Sequence, residues 1–227
     1  MDKNLTREIG YAFKNEDLLK TAFTHSSYAN EHNVQSYERL EFLGDSILSF
    51  IVSTRLFSAS FHFKEGEMSK LRASIVCERS LNECAKRMHF GEYLVLSKGE
   101  DFTGGRNRAS ILADVFEAVL AAIYLDGGLK EAEKFVDRQL GDAISNGCKG
   151  VFLYTDYKTE LQEIAQSVDK RVEYKHIKEE GPAHDRIFTV SVLYGGVPVA
   201  EGKGRNKKDA EQNAAMAAIA EVQNGKI

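Results

Sequence analysis

Apolar positions in the first 145 residues recur three and four apart. Between Asn15 and Ala29, Leu18, Leu19, Ala22 and Phe23 fall at helical spacing. From Glu38 to Phe57 the run Leu40, Leu43, Ile47, Phe50, Ile51 predicts a longer, central helix. Gly66–Phe90 predicts two more, around Met68–Val76 and Leu81–Met88. Gly91 opens a loop-rich stretch that includes SKGEDFTGGRNRAS (97–110), where glycine and arginine alternate without a hydrophobic period. Ser110 is suited to cap the next helix, Ile111–Leu125, and Gly127–Gly128 to stop it. A last amphipathic helix is expected from Leu129 to Ile144, and no strand-like alternation occurs before residue 150.

The pattern changes after NGCKG (146–150), a plausible hinge. One helix (Asp156–Val168) is followed by the alternating segments RVEYKHIK and RIFTVSVLY, joined through GPAHD. The Gly195–Gly196 turn leads into a third short strand, GVPVAEG, and an alanine-rich helix, Lys207–Val222, follows. The expected architecture is an all-α domain over 1–148, a linker over 149–154, and a small α+β domain of order α-β-β-β-α over 155–227.

Composition narrows the class. The chain of 227 residues is 43% hydrophobic and 28% charged, which suits a folded globular protein, and two prolines rule out proline-rich or collagen-like repeats. The longest uninterrupted apolar run, Ala118–Leu125, is far shorter than the ~20 residues of a membrane-spanning helix. The opening MDKNLTREIG has no apolar core after a basic start, so a cytosolic protein with no membrane partner is expected. Cys77, Cys84 and Cys148 form no C-x-x-C pair and read as reduced thiols, and the six histidines show no zinc-like spacing.

Charge argues mildly against a nucleic-acid partner. The net charge is −4, with 19 basic and 22 acidic residues in 1–150 and 11 and 12 in the remainder. Any such site must be a local patch. KGRNKK (203–208), with four positive charges in six residues, qualifies.

The acids point elsewhere. Ile111–Leu125 has 13 hydrophobic residues of 15, and the exceptions, Asp114 and Glu117, share one helical face. The Glu38–Phe57 helix repeats the theme with a stripe of Glu38, Glu41 and Asp45. Such a helix is usually buried, and a buried unpaired carboxylate is costly. Either arginines or helix N-termini satisfy these acids, with Arg39, Arg55 and Arg72 available and acids favoured in a first helical turn, or the acids hold a hard cation such as Mg²⁺ or Mn²⁺ through oxygen alone. A di-iron bundle would require Glu-x-x-His pairs, and the corresponding spacings here read Glu41-x-x-Gly44 and Asp114-x-x-Glu117.

At these residues the chain resembles a known family. ERLEFLGDS (38–46) is similar to the nine-residue signature of bacterial ribonuclease III, and LLKTAFTHSS (18–27), EGEMSKLRAS (65–74) and ILADVFEAVLAAIYLDGG (111–128) follow in that family's order. Residues 155–224 resemble a double-stranded RNA-binding domain. The resemblance implies Mg²⁺-dependent hydrolysis of double-stranded RNA, with Mn²⁺ as a substitute and no small-molecule cofactor, leaving 5′-phosphate and 3′-hydroxyl ends. By motif position, Glu41, Asp45, Asp114 and Glu117 form the metal set, with Asp45 and Glu117 indispensable to catalysis. Glu38 and Glu65 match further acids near the site. Phe42 matches an aromatic that inserts into a partner subunit, which implies a homodimer. Its rival role is as plain core. Substrates by resemblance include ribosomal RNA precursors and some messenger or small structured RNAs.

Duplex RNA is read by shape, phosphates and 2′-hydroxyls. Lys207 and Lys208 open the last helix and add to its positive end, and Asn206 suits the cap, although serine is commoner in the family. His184, in the GPAHD loop, is expected to enter one minor groove, and Gln162 and Glu163 to bond 2′-hydroxyls in the next. Arg106 and Arg108 offer a second contact from the catalytic domain. The competing reading is an RNA-binding protein whose helical domain serves only for dimerisation; it leaves the four acids without a purpose.

Overall fold

The computed structural model describes residues 3–59, 62–154, 156–182 and 186–223. The chain divides into two compact units, Met1–Tyr154 and Thr155–Ile227. The first runs α1 (Lys3–Ile9), α2 (Glu16–Ala22), α3 (Ser26–His32), α4 (Glu38–Phe57), α5 (Glu65–Ile75), α6 (Glu78–Arg87), α7 (Phe90–Tyr93), α8 (Lys98–Phe102), a 3-10 turn at Gly105–Asn107, α9 (Ala109–Gly127) and α10 (Leu129–Gly147).

Helix α9 is the axis of this unit. Its apolar residues from Ile111 to Ile123 are buried on every side, and α4, α6 and α10 pack around them. Burial of each large apolar side chain contributes about 1.5–3 kcal/mol. Phe116 of α9 meets Phe135 of α10 with ring centroids 5.2 Å apart. The helix ends at Gly128, whose φ of 82° a residue with a Cβ rarely adopts. Just before it, the Asp126 carboxylate accepts from the Tyr11 hydroxyl and from the Lys14 and Asn15 amides, tying the N-terminal segment to the end of α9.

Several local expectations are corrected. The single helix expected over Asn15–Ala29 is two, α2 and α3. A short parallel bridge draws the chain between them out of helical geometry: the Val95 amide donates to the Phe23 carbonyl, and the His25 amide to the Val95 carbonyl. The stretch 97–110 carries regular structure, since the Ser97 hydroxyl caps α8 by accepting from the Glu100 amide. Helix α9 starts at Ala109, so Ser110 is inside it rather than its cap. On α4, Phe50 is not core but 56% exposed, and Ile47, Leu48, Ile51 and Val52 fill the buried stripe.

The second unit has α11 (Tyr157–Ser167), β1 (Val172–Glu180), β2 (Ile187–Tyr194), β3 (Val197–Gly204) and α12 (Lys207–Gln223). The strands form an antiparallel sheet of order β1-β2-β3, with Tyr174 opposite Val192 and Val192 opposite Ala200. Asp156 is the cap of α11 rather than its first residue: its carboxylate accepts from the Thr159 amide. Leu161 and Ala165 of α11 meet Val192 and Tyr194 of the sheet and Ala214, Ala215, Ala218 and Ile219 of α12 in one core. The contact between β3 and α12 is very close. A Cβ at Gly202 would stand 2.1 Å from the Ala214 nitrogen, and one at Gly204 2.4 Å from the Ala210 nitrogen. Glycine on the strand and alanine on the helix are what allow that approach.

Candidate active site

The Glu38–Phe57 helix and α9 cross where their acids lie. Gly44, between Glu41 and Asp45, faces the Glu117 backbone, and a Cβ there would stand 2.0 Å from the Glu117 carbonyl oxygen. This crossing brings four of the expected acids into one field. Glu117 is pushed up to about 8, first by burial and then by Asp45, Glu41 and Asp114. Burial also raises Glu41, with Asp114, Glu38 and Asp45 adding to it. Asp114 is raised by burial and by Glu78, against the opposing pull of the Tyr37 hydroxyl and His25. Glu41, Asp114 and Glu117 are half-buried, whereas Asp45 and Glu38 are exposed, so the cluster opens to solvent on the α4 side.

Arginine does not satisfy these acids. Arg55 pairs with Asp137 and Glu133 of α10, and Arg72 donates to the Ser53 hydroxyl. Among the described residues none of the four carboxylates makes an ion pair. Nor do any three acids, histidines or cysteines among the described residues converge tightly enough to ligate an ion as they stand. The donor set is carboxylate oxygen throughout, partly desolvated and with no ion-pair partner among the described residues, which fits a hard divalent cation.

Glu65 opens α5, is exposed, and accepts from the Ser69 hydroxyl at 2.9 Å; it is not among the charges acting on Glu41, Asp114 or Glu117. Phe42 is 79% exposed, which removes the core role for it. Phe50 and Phe57 (79% exposed) continue an apolar stripe from Phe42 along the same side of α4.

In the second unit, Lys207 and Lys208 are exposed in the first turn of α12. Asn206 caps that helix, its side-chain oxygen accepting from the Asp209 amide at 2.8 Å. Gln162 and Glu163 are exposed on α11. His184 lies outside the described residues. Arg106 and Arg108 are bound into their own loop. Arg106 bridges Asp101 and donates to the Leu94 and Gly91 carbonyls, while Arg108 pairs with Glu100.

The helical unit matches the family described as Ribonuclease-III-like over residues 15–144, and residues 157–222 match the double-stranded RNA binding motif. Ribonuclease 3 of Listeria monocytogenes is 48% identical over 222 residues, covering 96% of each chain. The chain belongs to the ribonuclease III family. Another member, Ribonuclease 3 of Caldanaerobacter subterraneus, is 45% identical over 221 residues, again covering 96% of both chains. Among solved structures, the nuclease domain of ribonuclease III from Campylobacter jejuni is similar to this chain with a TM-score of 0.59 and 35% identity, covering 62% of this chain and 96% of that one. That structure is described for flexibility in a region involved in dimer formation.

For a ribonuclease III, two residues at the site carry no mark in the acid pattern. Gly44 sits inside the signature, yet its role is visible only where α9 approaches. Tyr37, which directly precedes the signature, is 3% exposed and donates its hydroxyl to Asp114 Oδ2 at 3.3 Å. Burial and the neighbouring Asp114 and Glu41 drive its phenol well above the usual range, so it remains a donor. Its position just before an acidic helix is what the sequence shows of it; its burial and its bond to Asp114 come from the fold.

Proposed function

We propose that this ribonuclease III-family endonuclease hydrolyses double-stranded RNA with Mg²⁺, leaving 5′-phosphate and 3′-hydroxyl ends. The observation that carries this reading is the half-buried group of Glu41, Asp114 and Glu117, each pushed toward its protonated form, on helices that touch at Gly44. Glu41, Asp45, Asp114 and Glu117 would hold the cation, with Mn²⁺ able to substitute. Bound there, Mg²⁺ supplies positive charge that polarises the phosphate and acidifies water. The water oxygen forms a bond to phosphorus, the bond to the 3′-oxygen breaks, and that oxygen takes a proton. Below about pH 8 the Glu117 carboxyl retains its proton when no cation is present, so cation binding and proton release are linked there. Asp45 stands at the open side, where a phosphate arrives. Glu38 and Glu65 would serve either the RNA path or a second ion.

Residues 1–148 would serve catalysis and dimerisation, 149–154 would link, and 155–227 would hold the duplex. Lys207 and Lys208 would meet phosphates, with Gln162, Glu163 and His184 directed at minor grooves. The exposed stripe from Phe42 supports a homodimer, in which two sites each cut one strand. Arg106 and Arg108, bound into their loop, are left as a minor contact. Among the described residues no helix is long and apolar enough to cross a membrane. The cytoplasm is the proposed setting, with ribosomal RNA precursors and some messenger or small structured RNAs as substrates.

The test incubates the protein with an RNA duplex, a matching single strand and a DNA duplex, under Mg²⁺ or Ca²⁺, beside Glu117→Gln. Cutting of the RNA duplex alone, with Mg²⁺ only, and its loss in the variant while binding persists, is the expected result. Binding without cutting under either ion would make this chain a dimeric RNA-binding protein.

A further inference from the structure

Tyr37 is pinned from three directions. Its backbone amide donates to the Thr24 carbonyl at 2.9 Å, and its own carbonyl accepts from the Leu40 and Glu41 amides that open α4. Its ring packs against that of His25, with centroids 5.7 Å apart. His25 is itself fixed, because its Nδ1 accepts from the Ser27 amide and so caps α3. Thr24 belongs to the short bridge to Val95. The phenol therefore has little freedom, and its hydroxyl ends at Asp114 Oδ2 across 77 residues of sequence. Among the described residues, Asp114 Oδ1 takes no hydrogen bond, so one oxygen is held and the other is left to a ligand.

We propose that Tyr37 is a positioning residue for the cation site, orienting the Asp114 carboxylate through its hydroxyl. The inference rests on the metal-dependent reading above and deepens it. A carboxylate on a helix can rotate about its side-chain torsions, and repulsion from Glu41 and Glu117 favours turning it away from the cluster. A donor on Oδ2 opposes that rotation before any cation arrives. Partners of metal ligands typically change affinity about 10–100-fold when removed. The 3.3 Å contact is long for a hydroxyl bond, which puts Tyr37 at the lower end.

The experiment titrates Mn²⁺ into the full-length protein without RNA, following the paramagnetic resonance of free Mn²⁺. Wild type, Tyr37→Phe, Asp114→Asn and the double variant are compared. Tyr37→Phe keeps the buried ring and removes only the donor, and its thermal melt identifies the folded fraction. Expected are a roughly tenfold weaker Kd for Tyr37→Phe and no further loss when it is added to Asp114→Asn. With RNA present, the Mg²⁺ needed for half-maximal cutting should rise about as much, while kcat at saturating Mg²⁺ stays within about twofold. Wild-type Mn²⁺ affinity in Tyr37→Phe, with Asp114→Asn weakened, would overturn the inference and leave the metal reading standing. An additive loss in the double variant would overturn it too. Unaltered affinity in Asp114→Asn would remove the metal reading and this inference with it.

Discussion

Gly44 of α4 and Glu117 of α9 are in backbone contact: a Cβ at Gly44 would stand 2.0 Å from the Glu117 carbonyl oxygen. That closeness places an acid-bearing helix against another acid-bearing helix with no side chain between them. It also makes the spacing of Glu41 and Asp45 from Glu117 a property of one missing methyl group.

Gly44→Ala should therefore act on site and fold together. The clashing atom is backbone, so it cannot swing aside, and α4 must shift on α9. Overpacking of this kind costs about 1–3 kcal/mol. A urea melt should show that loss. The RNA-cutting activity of the folded fraction should fall further than stability alone predicts, because the acids separate. A variant with wild-type stability and wild-type cutting would mean the helices are not in contact at Gly44.

The acids should also make the metal-free protein less stable in alkali. Glu117 titrates at about 8 in the folded chain and at its ordinary value of 4.5 when unfolded. Between those values the folded state binds more protons than the unfolded one, so stability falls as pH rises from about 4.5 to 8 and then levels. With a chelator present, Glu117→Gln should be more stable than wild type at pH 9, by about 2 kcal/mol once solvent screening is allowed for. At pH 4 the advantage should vanish. Melting curves of both proteins across that range give the comparison, and parallel curves would show that Glu117 is not strained by its burial and its neighbours.

Phe42, Phe50 and Phe57 leave an apolar stripe on α4 facing away from the core of their own unit. Under the proposed dimer, Phe42→Asp introduces a charge into that stripe and should shift the protein to monomer, with the melting temperature lowered by the lost association but the helical content kept. Sedimentation velocity reads the outcome directly. A dimer that persists at micromolar protein would place the subunit contact elsewhere.

How far the sequence discloses this structure depends on the range of the interactions. The Glu38–Phe57 helix keeps its expected limits, and α9 is legible because 13 apolar residues in 15 leave no surface face. The break between α2 and α3 is not legible, because it depends on Val95, some seventy residues away. Periodicity does not tell whether Phe50 lies inside, since a helix with two apolar faces has the same spacing whether the second meets the core or lies open. The acid set was visible as an anomaly of composition, but the Tyr37–Asp114 bond joins residues with no shared pattern. Composition also made Arg106 and Arg108 resemble an RNA patch, although their guanidinium groups mainly hold the loop together.

Lys207 and Lys208 give the sharpest test of the small unit, because its surface is nearly neutral and two charges are a large part of any basic patch. They stand in the first turn of α12, where the Asn206 cap takes up the Asp209 amide and the helix end adds positive character. Asp209, also in that turn, accepts from the Asn206 side-chain amide at 2.8 Å. If both lysines contact the backbone, Lys207→Ala with Lys208→Ala should weaken binding to every duplex alike. It should also flatten the dependence of log affinity on log salt by up to about two units. Filter binding across a salt series, with Mg²⁺ replaced by Ca²⁺ to suppress cutting, measures the slope. A weaker affinity with the slope unchanged would mean the lysines act through the fold of α12 and β3, which Gly202 and Gly204 hold in close contact, rather than through phosphate.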